Sequence, residues 1–226
     1  MSSLFVDLWY GDLLSEQMTE QRYWPLLNAE EKHKATAFSR KNVQQKYIKT
    51  RGILRQVLAS YLNIDAQKVI IKTGEYGKPY LVENGLYFNL SHTDNKIVVV
   101  VSNGGEVGVD VEYIRDRQHM SGLVKKCFSK IESSYWNALP EDQKITMFYH
   151  FWVRKEAFVK AVGRGIALGL NQCVVNPDDQ TRFLTIPSEY GLSVGWKILE
   201  AVLIQDYICA IVTKDMEFEY TQTELN

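Results

Sequence analysis

No apolar run in the sequence approaches the ~20 residues that a membrane-spanning helix needs. The N-terminal MSSLFVDLWYGDLL has no basic lead and carries Asp7 and Asp12. Neither a membrane span nor a signal peptide is therefore expected, and the expected address is the cytoplasm. Cysteine is sparse: Cys127, Cys173 and Cys209 are odd in number, far apart and without metal-ligand spacing, as suits a reduced intracellular chain. Charge of either sign is not in excess, the formal net charge being −1, which argues against a protein built to coat nucleic acid. What is present is a 226-residue globular composition, 46% hydrophobic and 23% charged, enough for one large domain or two small ones.

Residues 4–10 have strand composition, and 19–61 read as helical, with Leu54, Val57, Leu58 and Tyr61 at helical spacing. Strand-like segments follow at 68–72, 86–91 and 96–102, the first two separated by the turn-rich TGEYGKPY. Asn103-Gly104-Gly105 reads as a turn, and a second cycle opens with the strand EVGVDVEY. Residues 118–162 read as helical with breaks near Ser129 and Pro140, and strands follow near 172–175, 182–186, 194–204 and 207–213. The tail after Lys214 is acidic and reads as frayed. The expected class is α+β: two similar lobes, 1–104 and 105–226, packed as one body without a low-complexity linker.

Asp110 and Glu112 lie two apart in VGVDVEY, so a strand points both carboxylates to one face and Val109 and Val111 to the other. Like charges so placed repel unless a cation sits between them; a solvent-facing strand edge is the alternative. In FYHFWVRKEAFVKAVG, helical spacing puts Trp152, Glu156 and Lys160 on one stripe, with Lys155 beside it. Glu156 and Lys160 suit an ordinary surface pair, but the large apolar residues of this helix argue for packing. An acid between two lysines there suits a metal ligand or a base beside phosphate. Carboxylates with open positions for water and phosphate oxygens describe magnesium.

Between Lys32 and Arg55 stand eight basic residues and no acid, namely Lys32, Lys34, Arg40, Lys41, Lys46, Lys49, Arg51 and Arg55. A solvated helix face is one reading and an anion cradle the other; few aromatics are at hand for base stacking. Lys78 precedes Pro79 in the turn YGKP and is biased to an extended backbone. In FNLSHTD, Phe88 and Leu90 would face the core, with Asn89 and Ser91 opposite and His92 at the strand end, where a structural role is the commoner one.

Together these residues resemble the 4′-phosphopantetheinyl transferases, specifically the long, Sfp-type class. The signature G-(I/V)-D-x-E stands here as Gly108-Val109-Asp110-Val111-Glu112. The downstream W-x-x-K-E-x-x-x-K stands as Trp152, Lys155, Glu156 and Lys160. TRGILR (50–55), YGKP (76–79), NLSHT (89–93) and Gly163-Arg164-Gly165 match as well. The resemblance runs from about residue 30 to 170. It implies the pseudo-dimeric fold of that family and transfer of the 4′-phosphopantetheine arm of coenzyme A to a serine of an apo acyl or peptidyl carrier protein. Adenosine 3′,5′-bisphosphate is the implied leaving product.

Carried over by position, the resemblance makes Asp110, Glu112 and Glu156 ligands of magnesium against the pyrophosphate of coenzyme A. Lys160, with Lys155 nearby, looks like the group that neutralises that pyrophosphate. Lys78 and Pro79 match the adenine-side turn, and Ser91 and His92 the segment around the ribose 3′-phosphate. Lys34 and Arg51 look like further phosphate contacts. Glu156 is the implied base, directly or through a metal-bound water, with Glu132 second. The chain departs from the pattern at Glu31, where some relatives carry a basic residue; Lys32 or His33 would compensate. Implied partners are carrier domains of fatty-acid, polyketide or nonribosomal-peptide synthases, with no nucleic acid and no membrane, for a monomer. Phe128 and Tyr135 are candidate acceptor contacts, with a core role as the alternative. Two rival readings stay open: a magnesium-dependent nuclease or phosphohydrolase, and a non-catalytic module binding coenzyme A or carrier protein.

Overall fold

The computed structural model describes residues 3–82, 85–116, 118–203 and 206–225, with the side chains of residues 166 and 167 outside the description. The first half runs β1 (Phe5–Asp12), α1 (Glu20–Tyr23), α2 (Ala29–Thr36), α3 (Lys41–Leu62), β2 (Ile71–Thr73), β3 (Pro79–Leu81), β4 (Tyr87–Thr93) and β5 (Lys96–Ser102). The second runs β6 (Val107–Tyr113), α4 (Met120–Cys127), α5 (Lys130–Ala138), α6 (Glu141–Val162), β7 (Val174–Val175), β8 (Phe183–Thr185), β9 (Trp196–Ala201), β10 (Tyr207–Lys214) and β11 (Glu219–Glu224). The mixture of helices and sheets in two lobes is the expected α+β class.

Two sheets form the centre, one in the order β11-β1-β5-β4 and the other β6-β10-β9. Their inner faces meet through Val6, Leu8, Val98 and Val100 of the first and Val107, Val109, Val111 and Ile211 of the second, all essentially sealed from solvent. On the outer face of the first sheet, α3 packs Leu54 and Leu58 with Ile97, Val99 and Val101. On the outer face of the second, α6 packs Ala157, Phe158 and Ala161 with Ile198, Ala210 and Val212. The layers are therefore helix, sheet, sheet, helix. Residues 97–101 are apolar without alternation because both faces of β5 are covered.

Several elements end where local chemistry dictates. Asn28 and Glu31 form a reciprocal capping box at the start of α2, which breaks the helical pattern read over 19–61. Gly163, at φ +73°, closes α6 in the left-handed conformation that glycine adopts without strain. The tail departs from expectation. Residues 219–224 pair in parallel with β1, Phe5 opposite Glu219 and Tyr10 opposite Glu224, and Leu225 packs into the first lobe. The β1 edge needs a partner, and the alternating EYTQTE supplies one, so the last strand of the chain lies on the sheet of the first lobe. Among the described residues no helix is long and apolar enough to cross a membrane.

Candidate active site

The site begins at Gly108. A Cβ there would stand 2.1 Å from the Ala157 carbonyl oxygen and 2.4 Å from the Ala161 nitrogen, so α6 lies directly on the bare backbone of β6. By the two-residue period of a strand, Asp110 and Glu112 share that face. The helical spacing that puts Ala157 and Ala161 over Gly108 brings Lys160 to Asp110, Nζ to Oδ1 at 2.7 Å. From the neighbouring β4, the Ser91 hydroxyl donates to the same oxygen at 2.9 Å and accepts from Lys160 at 2.8 Å. Thr93 donates to Glu112 at 3.3 Å. Carboxylates of the second lobe thus meet hydroxyls of the first.

Glu156 lies one turn before Lys160. Burial and then the negative charge of Asp110 push its carboxyl above the ordinary range; Lys160 pulls it down and Glu112 pushes it up more weakly. Among the described residues no set of three His, Cys, Asp or Glu is gathered as if around a bound metal. The Lys160 ammonium, on Asp110, is the cation of the cluster. The donors nevertheless suit a hard dication. Asp110 Oδ2 is buried without a hydrogen-bond partner, and the charges bearing on Glu156 are those that a cation between them would relieve.

A cleft of about 220 Å³ opens beside this cluster, lined by Tyr76, Lys78, Pro79, Leu90, Lys160 and Gly163, among others. Arg164 lies over the Tyr76 ring at 4.8 Å and donates to its hydroxyl, joining the loop after α6 to the YGKP turn. The Lys78 ammonium donates to the carbonyls of Ala161 at 2.5 Å and Val107 at 3.2 Å, crossing the seam between lobes. Burial pushes its pKa down to about 8. His92 is held below its usual range by partial burial and by the charges of Lys46 and Lys160.

Residues 106–212 match the model of the 4′-phosphopantetheinyl transferase superfamily, and residues 17–104 that of the 4′-phosphopantetheinyl transferase N-terminal region. The 4′-phosphopantetheinyl transferase HetI of Nostoc sp. is 31% identical over 211 residues, covering 91% of this chain and 86% of the relative. The transferase Sfp of Bacillus subtilis is 28% identical over 163 residues, 72% of this chain and 71% of its own. AcpT of Escherichia coli K12 is 44% identical over 91 residues, 40% of this chain and 47% of its own. This chain belongs to the 4′-phosphopantetheinyl transferase family. It is an enzyme of the long, Sfp-like type.

Within this transferase the sequence-predicted residues divide. Asp110, Glu156, Lys160 and Ser91 come together, with Glu112 and Thr93 adjoining, while Lys78 and Pro79 line the cleft. Two expectations are corrected. Lys155, expected beside bound nucleotide, has no exposed side-chain surface; its ammonium is 2.8 Å from Glu132 and donates to the carbonyls of Leu170 and Cys173. Glu132, expected near the metal as a second base, is equally sealed, capping α5 and accepting from Val175. Helical geometry turns Lys155 140° from Lys160 around α6, from ~100° per residue, hence into the core.

Arg51 is committed to Glu31, which also binds the buried Arg55, and Lys34 sits 5.6 Å over the Tyr47 ring. Neither shares a hydrogen bond with the Asp110 cluster. The basic residue whose charge does bear on His92 is Lys46, which sequence reasoning left undistinguished within the run of eight. Its signal was one of register: β4 and α3 must meet before one lysine of the run stands out. Phe128 is a core residue, packed on Phe148 and Phe151.

Proposed function

We propose that this protein transfers the 4′-phosphopantetheine arm of coenzyme A to a serine of an apo carrier protein, giving the holo carrier and adenosine 3′,5′-bisphosphate. The observation that carries this reading is the cluster of Asp110, Ser91, Lys160 and Glu156 at the mouth of the cleft beside YGKP. The family name supports the transfer chemistry, and the two lysines that line the cleft, Lys78 and Lys160, support a phosphorylated donor.

The carrier serine oxygen forms a bond to the pantetheine-side phosphorus. The bond from that phosphorus to the bridging oxygen breaks, and the nucleotide bisphosphate leaves with the electron pair. Asp110, Glu112 and Glu156 would hold a magnesium ion, whose chemistry there is to polarise the pyrophosphate oxygens and offset charge on the leaving phosphate. Lys160 neutralises negative charge at the same place, from a position its bonds to Asp110 and Ser91 define. Glu156 takes the serine proton, directly or through an intervening water. Lys46 and His92 hold further phosphate at the α3 side, and the YGKP turn with Arg164 walls the nucleotide. In this kind of transfer the protein mainly positions groups and stabilises charge.

Incubation with coenzyme A, magnesium and a panel of apo carrier proteins should add the mass of one phosphopantetheine to the carrier. No adduct on any carrier overturns the reading. An Asp110→Ala variant with an unchanged rate removes the metal assignment alone.

A further inference from the structure

A second cavity lies on the first lobe. Lys41, Gln44, Ile48 and Gly52 follow one another at intervals of three or four residues, so they form one stripe of α3. At Gly52 the end of α1 lies directly on this stripe: a Cβ there would stand 2.4 Å from the Cβ of Tyr23, which is sealed from solvent. Toward the start of α3 the two segments part. A cavity of about 510 Å³ opens there between Glu20, Gln21 and Trp24 on one side and Lys41, Gln44 and Ile48 on the other. That volume falls in the range of small-molecule sites, roughly 300–1,000 Å³. Among the described residues it shares no lining residue with the cleft at Lys160, so the phosphorylated donor does not account for it.

The lining has three parts. Trp24 and the buried Ile48 are apolar, and Lys32 of α2 lies 6.0 Å over the Trp24 ring, which helps to hold the indole in place. Gln21 and Gln44 bring amides, and Gln44 is oriented by donating to the Ala35 carbonyl at 2.9 Å. Glu20 and Lys41 bring one charge of each sign from opposite walls. Among the described residues neither forms an ion pair, whereas Asp12 and Lys96, also on separate elements, meet at 2.8 Å.

We propose that this cavity binds a free α-amino acid with an aromatic or branched apolar side chain. Its ammonium group lies on Glu20, its carboxylate on Lys41, and its side chain on Trp24 and Ile48. Charge complementarity selects this class. A nucleotide would bring phosphate against Glu20, and a fatty chain would leave both charges without partners. An amine or a carboxylic acid satisfies one wall, and an amino acid satisfies both. Hydrogen bonds between charged groups are the strong ones at such a site, and burial of the apolar side chain adds to them.

Ligand-observed NMR titration tests this with three probes: L-phenylalanine, phenethylamine, which lacks the carboxylate, and 3-phenylpropionate, which lacks the ammonium group. L-Phenylalanine should bind at a single site, on the order of tenfold more tightly than either one-charge probe. Glu20→Gln should remove its advantage over 3-phenylpropionate and leave the affinity for 3-phenylpropionate itself unchanged. Lys41→Gln should do the same relative to phenethylamine. Neither side chain is buried, so both variants should melt with wild type. Coenzyme A should not displace L-phenylalanine, because the cleft at Lys160 lies elsewhere. Absence of saturable binding by L-phenylalanine and L-leucine at millimolar concentration overturns the proposal. So does wild-type affinity for L-phenylalanine in both variants, or its displacement by coenzyme A. The readout uses neither carrier protein nor transfer, so its failure leaves the transferase reading untouched.

Discussion

Replacing Gly108 by alanine adds one methyl group at the tightest contact beside the site. The new carbon would stand 2.1 Å from Ala157 O, 2.4 Å from Ala161 N and 2.9 Å from Ala161 Cα, whereas ordinary contact begins near 3.4 Å. All three atoms are helix backbone, so no side chain can swing aside, and α6 must retreat from β6 by roughly 1 Å. Overpacking of this kind costs about 1–3 kcal/mol, which for a chain of this size lowers Tm by roughly 2–12 °C. The catalytic effect is larger in proportion. The displaced helix carries Glu156 and Lys160 away from Asp110, and a shift of about 1 Å at reacting groups costs on the order of 100-fold in rate. The assay is kcat/KM for carrier loading, well below the melting range, alongside a thermal melt. Gly122→Ala in α4, where a Cβ meets nothing within 4 Å, is the stability control and should not lower Tm. A Gly108→Ala protein with wild-type Tm and a rate within threefold of wild type would refute the claim that close helix approach sets the site's geometry.

The remaining predictions use different observables. Glu156 has a raised carboxyl, so its ionisation weighs against the fold increasingly as pH climbs above the ordinary value of 4.5. Glu156→Gln should raise the Tm of the metal-free protein at neutral pH while abolishing transfer, and magnesium should stabilise wild type more than the variant. Lys78 loses its proton near pH 8 when folded, against 10.5 as the reference. Within that window the unfolded chain binds more protons, so this group's contribution to stability rises with pH. Lys78→Met should flatten that rise in melts across the window, and should weaken coenzyme A binding by loosening the seam. Breaking the sealed Glu132–Lys155 pair from one side, as in Lys155→Met, should cost ~3–5 kcal/mol. The Lys155→Met, Glu132→Leu double variant should melt higher than Lys155→Met, because no uncompensated charge stays buried.

Much of the fold could be read from periodicity. The 96–102 run and the VGVDVEY alternation both correspond to strands of the observed sheets. The carboxylate cluster was legible because it depends on local spacing: two residues along a strand, four along a helix. What was not legible depends on partners distant in sequence. The same helix offers Lys155 and Lys160, and only the packing of α6 against Phe128 and Glu132 decides that one is core and the other faces the site. Glu31 and Arg51 look like neighbours of an anion site until the capping box and Arg55 draw them into one buried network. The polar tail became a strand because the edge of β1, more than 200 residues earlier, was open to it.

The seam also explains why neither lobe carries this site alone. Asp110 stands on β6, but the hydroxyl that orients it comes from Ser91 on β4. Lys160 bonds both, so one ammonium ties the lobes at the place where phosphate charge must be met. Lys78 makes a second tie in the opposite sense, from the YGKP turn of the first lobe to the carbonyls of Ala161 in α6 and Val107 in β6. Between the two ties lie the valines of the inner sheet faces, packed from both sides. Such a core deforms reluctantly, so the carboxylates, Lys160 and the cleft wall keep their relation without hinge closure. Catalysis by positioning needs that rigidity. Both lobes line the cleft, the second supplies the carboxylates, and the valines packed between the sheets hold the two halves of the site together.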